Sequence, residues 1–191
     1  MALLTPYSKV PELNTATVLL VENEEELQSK LANALVQYEK DFNVNVRLAR
    51  KLPLPVENKE TRPRIDLIVF LVNLLSERSL QSVESSLAHL HSDCFLGKVC
   101  FLVTDGELRA LFNSCKCVHT HFYLITVFRK VFVKIRRVLL SLSQTVDGVN
   151  AAAVRLLNIL KVSAGMSPIA TTALYLSSLT RCSVTSDLEE D

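Results

Sequence analysis

The chain has 191 residues, of which 49% are hydrophobic and 21% are charged, and its formal net charge is +1. This length and balance predict one folded domain with a full apolar core, and they exclude an intrinsically disordered chain. The chain has no global excess of basic residues, which a dedicated nucleic-acid-binding protein would show.

The cysteines and the amino-terminal residues indicate the cellular compartment in which the protein is found. The five cysteines are odd in number and most lie in apolar runs, which predicts free thiols in a reducing environment. Residues 1–7 lack a charged leader followed by a long apolar segment. We therefore expect no signal peptide and no membrane span, and a cytosolic or nuclear protein.

The first elements alternate strand and helix. Residues 1–14 hold three turn-formers and predict an ordered lead-in, and Thr15–Val21 is a predicted strand. Residues 24–40 predict a helix, and residues 44–48 alternate as an exposed edge strand does. The predicted buried face of the helix consists of Leu27, Leu31, Leu35 and Tyr38.

The central element is residues 65–72, which are apolar except for Asp66. Its β-branched and aromatic residues predict a strand buried on both faces, with a buried helix as the weaker alternative. We expect Phe70 to be buried. Asp66 is either solvated or bonded to a neighbouring backbone group. The prolines in residues 53–63 predict a loop before this strand.

Two elements are predicted on the carboxyl side of the central strand. Residues 79–91 predict a helix capped by Ser76 or Ser79, with a buried stripe, and 99–103 predict the next strand. The stripe consists of Leu80, Val83, Leu87 and Leu90.

The carboxyl-terminal part predicts two further helices and a tail. Asp147 is a predicted cap for a helix that runs to Ala164, and Gly165 is a fitting terminator. Pro168 opens a predicted helix through Thr180. Residues 182–191 form an acidic tail that we expect to be mobile.

Residues 106–143 are the ambiguous part of the chain. Residues 131–135 fit a strand as well as a helix. The helical alternative would bury Leu124, Phe128, Val131, Ile135, Val138 and Leu142. The basic residues within 129–137 fit a solvated helix face better than a nucleic-acid face. The whole pattern predicts a single α/β domain with a mostly parallel central sheet flanked by helices.

The turn after the first strand is where a phosphate-binding loop would lie. That loop needs G-x-x-x-x-G-K-[ST], because glycines let backbone amides face the phosphates and the lysine neutralises them. Here Glu22 and Leu27 occupy the glycine positions and Gln28 occupies the lysine position, so that only Ser29 remains. Carboxylates at 22 and 24–26 would also repel a phosphate. We predict an acidic first helical turn, and no cofactor.

Other reactive side chains carry weaker signals. Four possible zinc ligands lie in one short segment, a spacing unlike that of structural zinc sites, so incidental surface residues are favoured. They are Cys115, Cys117, His119 and His121. Catalysis by Cys94 or Cys100 is not expected, because their apolar neighbours should raise the thiol pKa. No serine, histidine and aspartate set stands out.

Four runs of the first half, namely residues 13–21, 52–55, 62–70 and 95–102, resemble the centromere protein M family. The resemblance is close over residues 1–103 and looser over 151–179, and residues 106–143 show little of it. The looser part depends on the runs 160–165 and 173–176.

The resemblance implies a small-GTPase-like (P-loop NTPase-like) fold over residues 1–181 that neither binds nor hydrolyses GTP. It implies a non-enzymatic structural subunit of the inner kinetochore, located in the nucleus at centromeres. It also implies direct binding to centromere protein I, in one complex with centromere proteins H and K. We expect a monomer in isolation, with no membrane contact and only an indirect link to DNA. An unconventional GTP-binding switch and a basic DNA-binding module are the alternatives.

Surplus apolar side chains predict where the partner binds. On a helical wheel of the last predicted helix, Leu174 falls roughly 160° from Leu176 and faces outward. Phe95 and Leu96 lie in the connection before Gly97, outside both flanking elements. We predict that Leu96 and Leu174, with Phe95, contact centromere protein I. The alternative is that one or both leucines fill the core.

Overall fold

The computed structural model places a parallel sheet at the centre of the molecule. The residues that it describes are 3–5, 9–10, 12–23, 25–54, 64–73, 76–104 and 139–166.

The described sheet has five strands, all parallel to their neighbours. They are β1 Thr15–Val21, β2 Asn43–Ala49, β3 Leu67–Asn73, β4 Val99–Thr104 and β5 Leu139–Leu142. Their spatial order is β2-β1-β3-β4-β5, which is an order found in doubly wound α/β proteins. The order reverses between β1 and β3, where Val18 pairs with Leu67.

Helices cover both faces of this sheet. The described helices are α1 Glu25–Tyr38, α2 Glu77–Leu87 and α3 Val146–Ser163, with a short 3-10 helix at Ser92–Phe95. Helices α1 and α3 pack together over one face, and α2 covers the other. The predicted fold class, a single α/β domain with a parallel sheet flanked by helices, is confirmed and is consistent with a small-GTPase-like fold.

The alternation of side chains along the strands divides the core into two layers. Leu20, Val69 and Leu102 point toward α1 and α3, whereas Leu19, Phe70 and Phe101 point toward the α2 side. Because β1, β3 and β4 are buried on both faces, their sequences read as continuous apolar runs rather than alternating ones.

Strand predictions were confirmed with shifted ends. The central strand is β3, which begins at Leu67 rather than at residue 65, and Phe70 is fully buried. Strand β2 lies at the sheet edge and is largely exposed, as its alternating sequence predicts. The helical alternative for Leu142 was wrong, because this residue lies in β5. Its pairing with Thr104 in β4 overrides the helical spacing.

Helix predictions need five corrections. Helix α1 ends at Tyr38 rather than at residue 40, and Tyr38 is 44% exposed because it lies in the last turn. Helix α2 spans Glu77–Leu87 rather than 79–91, with Ser76 as its cap. Within the predicted stripe, Val83 and Leu87 are half-buried. The cap of α3 is Thr145, not Asp147.

The two ends of α3 are fixed by local hydrogen bonds. At the start, the Thr145 hydroxyl accepts a hydrogen bond from the Gly148 amide at 3.2 Å. At the other end, the amides of Gly165 and Met166 donate to the carbonyl oxygens of Val162 and Lys161. Gly165 has φ +78, so it supplies the left-handed residue that this C-terminal motif requires, as predicted.

Several predictions lie outside the described residues. They are the last helix and Leu174, the tail 182–191, the basic stretch 129–137, the ambiguous segment up to 138, and the cluster Cys115, Cys117, His119 and His121.

Candidate functional sites

The first candidate site is the turn between β1 and α1, at the carboxyl edge of the sheet. Glu22 is 8% exposed, and its amide donates to the Ala49 carbonyl at 3.0 Å. Asn23 is exposed and lies 3.4 Å from the Ser82 hydroxyl of α2. The Glu22 amide therefore extends the pairing of β1 with β2 by one hydrogen bond.

The two positions that a phosphate loop would fill with glycine and lysine are part of the core here. Leu27 is buried under the sheet in the layer of α1 and α3. Gln28 is 3% exposed, and its side-chain amide donates to the carbonyls of Leu20 at 2.9 Å and Ala49 at 3.0 Å. The amide thus satisfies backbone groups at the ends of two strands, a role that the sequence analysis missed. The available signal was spacing, because Gln28, Leu31 and Leu35 share the buried face of α1.

The carboxylates of the first helical turn point to separate partners. Glu25 pairs with Arg50, and Glu26 pairs with Lys30 at 2.6 Å. The hydrogen bond and charge of Lys30 lower the pKa of Glu26. The predicted acidic first turn is confirmed for Glu25 and Glu26, while Glu24 lies outside the described residues. Within the described part of the chain, no group of three or more histidine, cysteine, aspartate or glutamate residues is arranged to hold a metal.

The two described cysteines are unsuited to nucleophilic chemistry. Burial raises the pKa of the Cys94 thiol to about 11. Cys100 is fully buried, and burial raises the pKa of its thiol as well. Both thiols therefore stay neutral at physiological pH, as their apolar neighbours predicted.

The second candidate site is the corner formed by Phe95 and Leu96 before β4. The 3-10 helix that ends at Phe95 was not predicted; its cap is His91, whose ring accepts from the Asp93 amide. Leu96 follows this helix and is 78% exposed. Phe95 is half-buried against the α2-side core. Leu96, rather than Phe95, is therefore the projecting apolar group.

Hydrogen bonds hold both sides of this corner. On one side, Cys94 is buried and its thiol donates to the Leu4 carbonyl at 3.4 Å. On the other side, the Lys98 ammonium donates to the Ser163 carbonyl, and the Ser163 hydroxyl donates to the Gly97 carbonyl, both at 3.0 Å. The corner is thus fixed to the end of α3. A lysine side chain is well suited to this contact, because it can donate to the last carbonyl groups of a helix.

Lys98 is a further residue that the sequence analysis missed. Its side chain is 5% exposed, and burial, followed by the charge of Arg64, lowers its pKa. A lone lysine directly before the apolar run at residues 99–103 is the signal that could have found it. The helix end at Ser163 that it bonds belongs to a segment 65 positions away, which no local pattern reveals.

These features define the class: an α/β protein of the doubly wound type in which side chains and backbone bonds of the fold occupy the phosphate-loop position. A family model described as Centromere protein M (CENP-M) matches residues 1–183, including the segment 106–143 that showed little resemblance. The chain belongs to the centromere protein M family.

Similar proteins cover nearly the whole chain. A centromere protein M of Danio rerio is 72% identical over 191 residues, covering 100% of this chain and 98% of its own. That of Homo sapiens is 41% identical over 191 residues, and that of Xenopus laevis is 38% identical over 187. These two alignments cover 100% and 98% of this chain, respectively, and 99% of each relative. Membership makes this a centromere protein of the nucleus.

A solved structure of the response regulator ChrA, from a haem-sensing two-component system, aligns with a TM-score of 0.30 and 12% identity. The alignment covers 87% of this chain and 86% of ChrA, but a likeness this low carries no conclusion. Among the described residues, no helix has the length and apolar character needed to cross a membrane.

Proposed function

We propose that the protein is a non-enzymatic structural subunit of the inner kinetochore that binds centromere protein I directly. Centromere proteins H and K belong to the same complex, and the protein supports kinetochore assembly and chromosome segregation there. The observation that carries this proposal is Leu96, a 78% exposed leucine on a connection anchored at both ends.

Anchoring matters because it lowers the entropic cost of binding. A partner that covers Leu96 gains the free energy of removing an apolar side chain from water. It does not also have to order the segment that carries Leu96. Leu174 is the second proposed contact, and Phe95 supports Leu96 from the core side. Met166, the last described residue, follows the helix end that bonds Gly97, so the chain leaves α3 close to this corner.

The non-enzymatic part of the proposal is supported by Leu27 and Gln28. Both side chains are committed to the fold, and a bound phosphate would have to displace them. A GTP-binding switch would therefore need an unconventional site. Calorimetry of the purified protein against GTP and GDP with magnesium decides between the two; a dissociation constant below about 10 µM, roughly 7 kcal/mol, would overturn the scaffold proposal.

Introducing a negative charge at each proposed contact residue tests the partner contact. Leu96→Glu and Leu174→Glu should each abolish co-purification with centromere protein I, while the protein stays monomeric with an unchanged melting temperature. Leu13→Glu is the matched control, because Leu13 is 93% exposed. Binding that survives Leu96→Glu would place the interface elsewhere, and aggregation of a variant would mean that its leucine belongs to the core.

A further inference from the structure

Strand β2 forms an edge of the described sheet. It pairs with β1 on one side only, over seven residues from Asn43 to Ala49. An edge strand of this length presents backbone donors and acceptors to a further strand. Its sequence contains no proline, the residue that commonly blocks such edges.

The register identifies the backbone groups that point outward. The Asn43 amide donates to the Asn14 carbonyl, and the Ala49 carbonyl accepts from the Glu22 amide, so odd-numbered residues of β2 face β1. In a parallel ladder, alternate residues bond to opposite sides. The amides and carbonyls of Val44, Val46 and Leu48 therefore point away from β1.

The side chains of β2 have a distinct character on each face. Val44 and Val46 pack partly on the core beside α1, and Leu48 on the same face is 50% exposed. On the opposite face, Arg47 is exposed, and Lys51 is exposed just beyond the strand. Among the residues that the structure describes, neither cation forms a salt bridge, whereas the neighbouring Arg50 pairs with Glu25.

We propose that the β2 edge binds an extended segment of a partner protein, with apolar and acidic residues in alternation, as an added strand. Alternation places the apolar residues beside Val46 and Leu48 and the acidic residues beside Arg47. A groove of about 430 Å³ lies next to the start of the strand and has room for an apolar side chain of the segment beside Val36, Phe42 and Val44. Glu12 and Glu39 also line this groove, so the acidic residues of the segment must lie outside it.

This surface is separate from the Leu96 corner. Strands β1 and β3 lie between β2 and β4, so the β2 edge is three strand spacings, roughly 14 Å, from the strand that follows Leu96. Both surfaces can therefore be occupied at once, and the two proposals stand or fall independently.

The test uses a fluorescein-labelled peptide of alternating valine and glutamate, about ten residues long, titrated into the full chain by anisotropy. Binding should protect the amides of Val44, Val46 and Leu48 from hydrogen exchange and should weaken as salt rises. A peptide with lysine in place of glutamate should bind about 10-fold more weakly. Equal binding of the lysine peptide would overturn the proposed charge preference.

Two variants locate the site. Arg47→Glu should weaken the binding of the glutamate peptide about 10-fold. Val46→Pro should abolish this binding, because proline removes an amide that points away from β1 and leaves the hydrogen bonds to β1 in place. Asn33→Glu, on the exposed face of α1, is the control for added charge. Unchanged binding to Arg47→Glu would overturn the proposal without requiring the proline variant to fold.

Two other occupants of the edge give different results. If β2 pairs with a second copy, the wild type sediments as a dimer and Arg47→Glu or Val46→Pro changes that dimer. If the acidic tail of the same chain occupies the edge, the peptide binds only after residues 182–191 are deleted. Either result would overturn the proposal that a segment of a partner protein occupies the β2 edge.

Discussion

Thr17 and Asp66 hydrogen-bond in both directions across the boundary between β1 and β3. The Thr17 amide donates to the Asp66 carboxylate at 3.0 Å, and the Asp66 amide donates to the Thr17 carbonyl at 2.8 Å. The Arg64 guanidinium donates to the other carboxylate oxygen at 2.6 Å. Asp66 therefore bonds the neighbouring backbone, the second of the two roles expected for it.

Asp66→Ala should lower the free energy of unfolding by about 3 kcal/mol, because it leaves a buried amide and a half-buried guanidinium without their acceptor. Asp66→Asn, which keeps an acceptor, should cost less. Urea denaturation measures both, and a double-mutant cycle with Arg64→Ala isolates the ion pair. A change below about 0.5 kcal/mol for Asp66→Ala would contradict this role.

Phe70 is fully buried in β3, and its ring stacks on that of Phe101 with centroids 5.6 Å apart. Phe70→Ala should lower the free energy of unfolding by about 3–5 kcal/mol, since it opens a cavity on the α2 side of the sheet. Val10→Ala, at an 84% exposed position, is the control. A melting temperature within about 2 °C of wild type for Phe70→Ala would contradict the predicted contribution of the buried ring to stability.

Apolar runs predicted β1, β3 and β4 because strands buried on both faces must be continuously apolar. The same reasoning missed β5, since Leu142 also fits the helical spacing set by Ile135 and Val138, and only pairing with β4 decides between strand and helix. Local capping chemistry was equally ambiguous. Thr145 and Asp147 are both good caps, and the choice depends on where the chain leaves β5.

In the candidate sites too, the chemistry of single residues could be predicted from the sequence, whereas contacts between distant segments could not. Gln28 is predicted to be unable to replace a phosphate-loop lysine, because a neutral amide cannot neutralise a phosphate. Its bonds to Leu20 and Ala49 could not be predicted, because they join three elements whose positions the sheet determines. Likewise, surplus hydrophobicity identified Leu96, whereas its anchoring by Ser163 depends on a contact between distant segments.

Restoring a phosphate-loop pattern should not restore an enzyme. The triple variant Glu22→Gly, Leu27→Gly and Gln28→Lys should show no GTP turnover above a no-enzyme control, because a phosphate-loop pattern alone does not supply the magnesium ligands and the water-positioning group that turnover also needs. It should also unfold more easily, since Leu27 leaves the core and the Gln28 amide bonds are lost. Phosphate release and thermal melting measure these two effects. Turnover by a stable triple variant would contradict the assignment.

The raised pKa of Cys94 predicts both its reactivity and a pH dependence of stability. Folding raises this pKa from 9.0 to about 11, so the folded state favours the neutral thiol. Its contribution to stability is fully present below pH 9.0 and is lost as pH rises through about 11. Iodoacetamide should therefore modify Cys94 slowly at pH 8 in the folded chain and rapidly in urea, as mass spectrometry can follow. Equal rates in the two states would contradict the predicted protection.

Gly148 lies in the first turn of α3, close to the end of β5. A Cβ atom at this position would lie 2.5 Å from the Ser143 Cβ and 2.6 Å from its carbonyl oxygen. Alanine in place of a helical glycine usually stabilises by up to about 1 kcal/mol, but this contact reverses the sign. Gly148→Ala should therefore lower the free energy of unfolding by about 1–3 kcal/mol, because the backbone of Ser143 must move away. Ala151→Gly, at an exposed position one turn later, is the control and should cost about 1 kcal/mol through helix propensity alone. A Gly148→Ala protein more stable than wild type in chemical denaturation would show that the turn between β5 and α3 yields without cost.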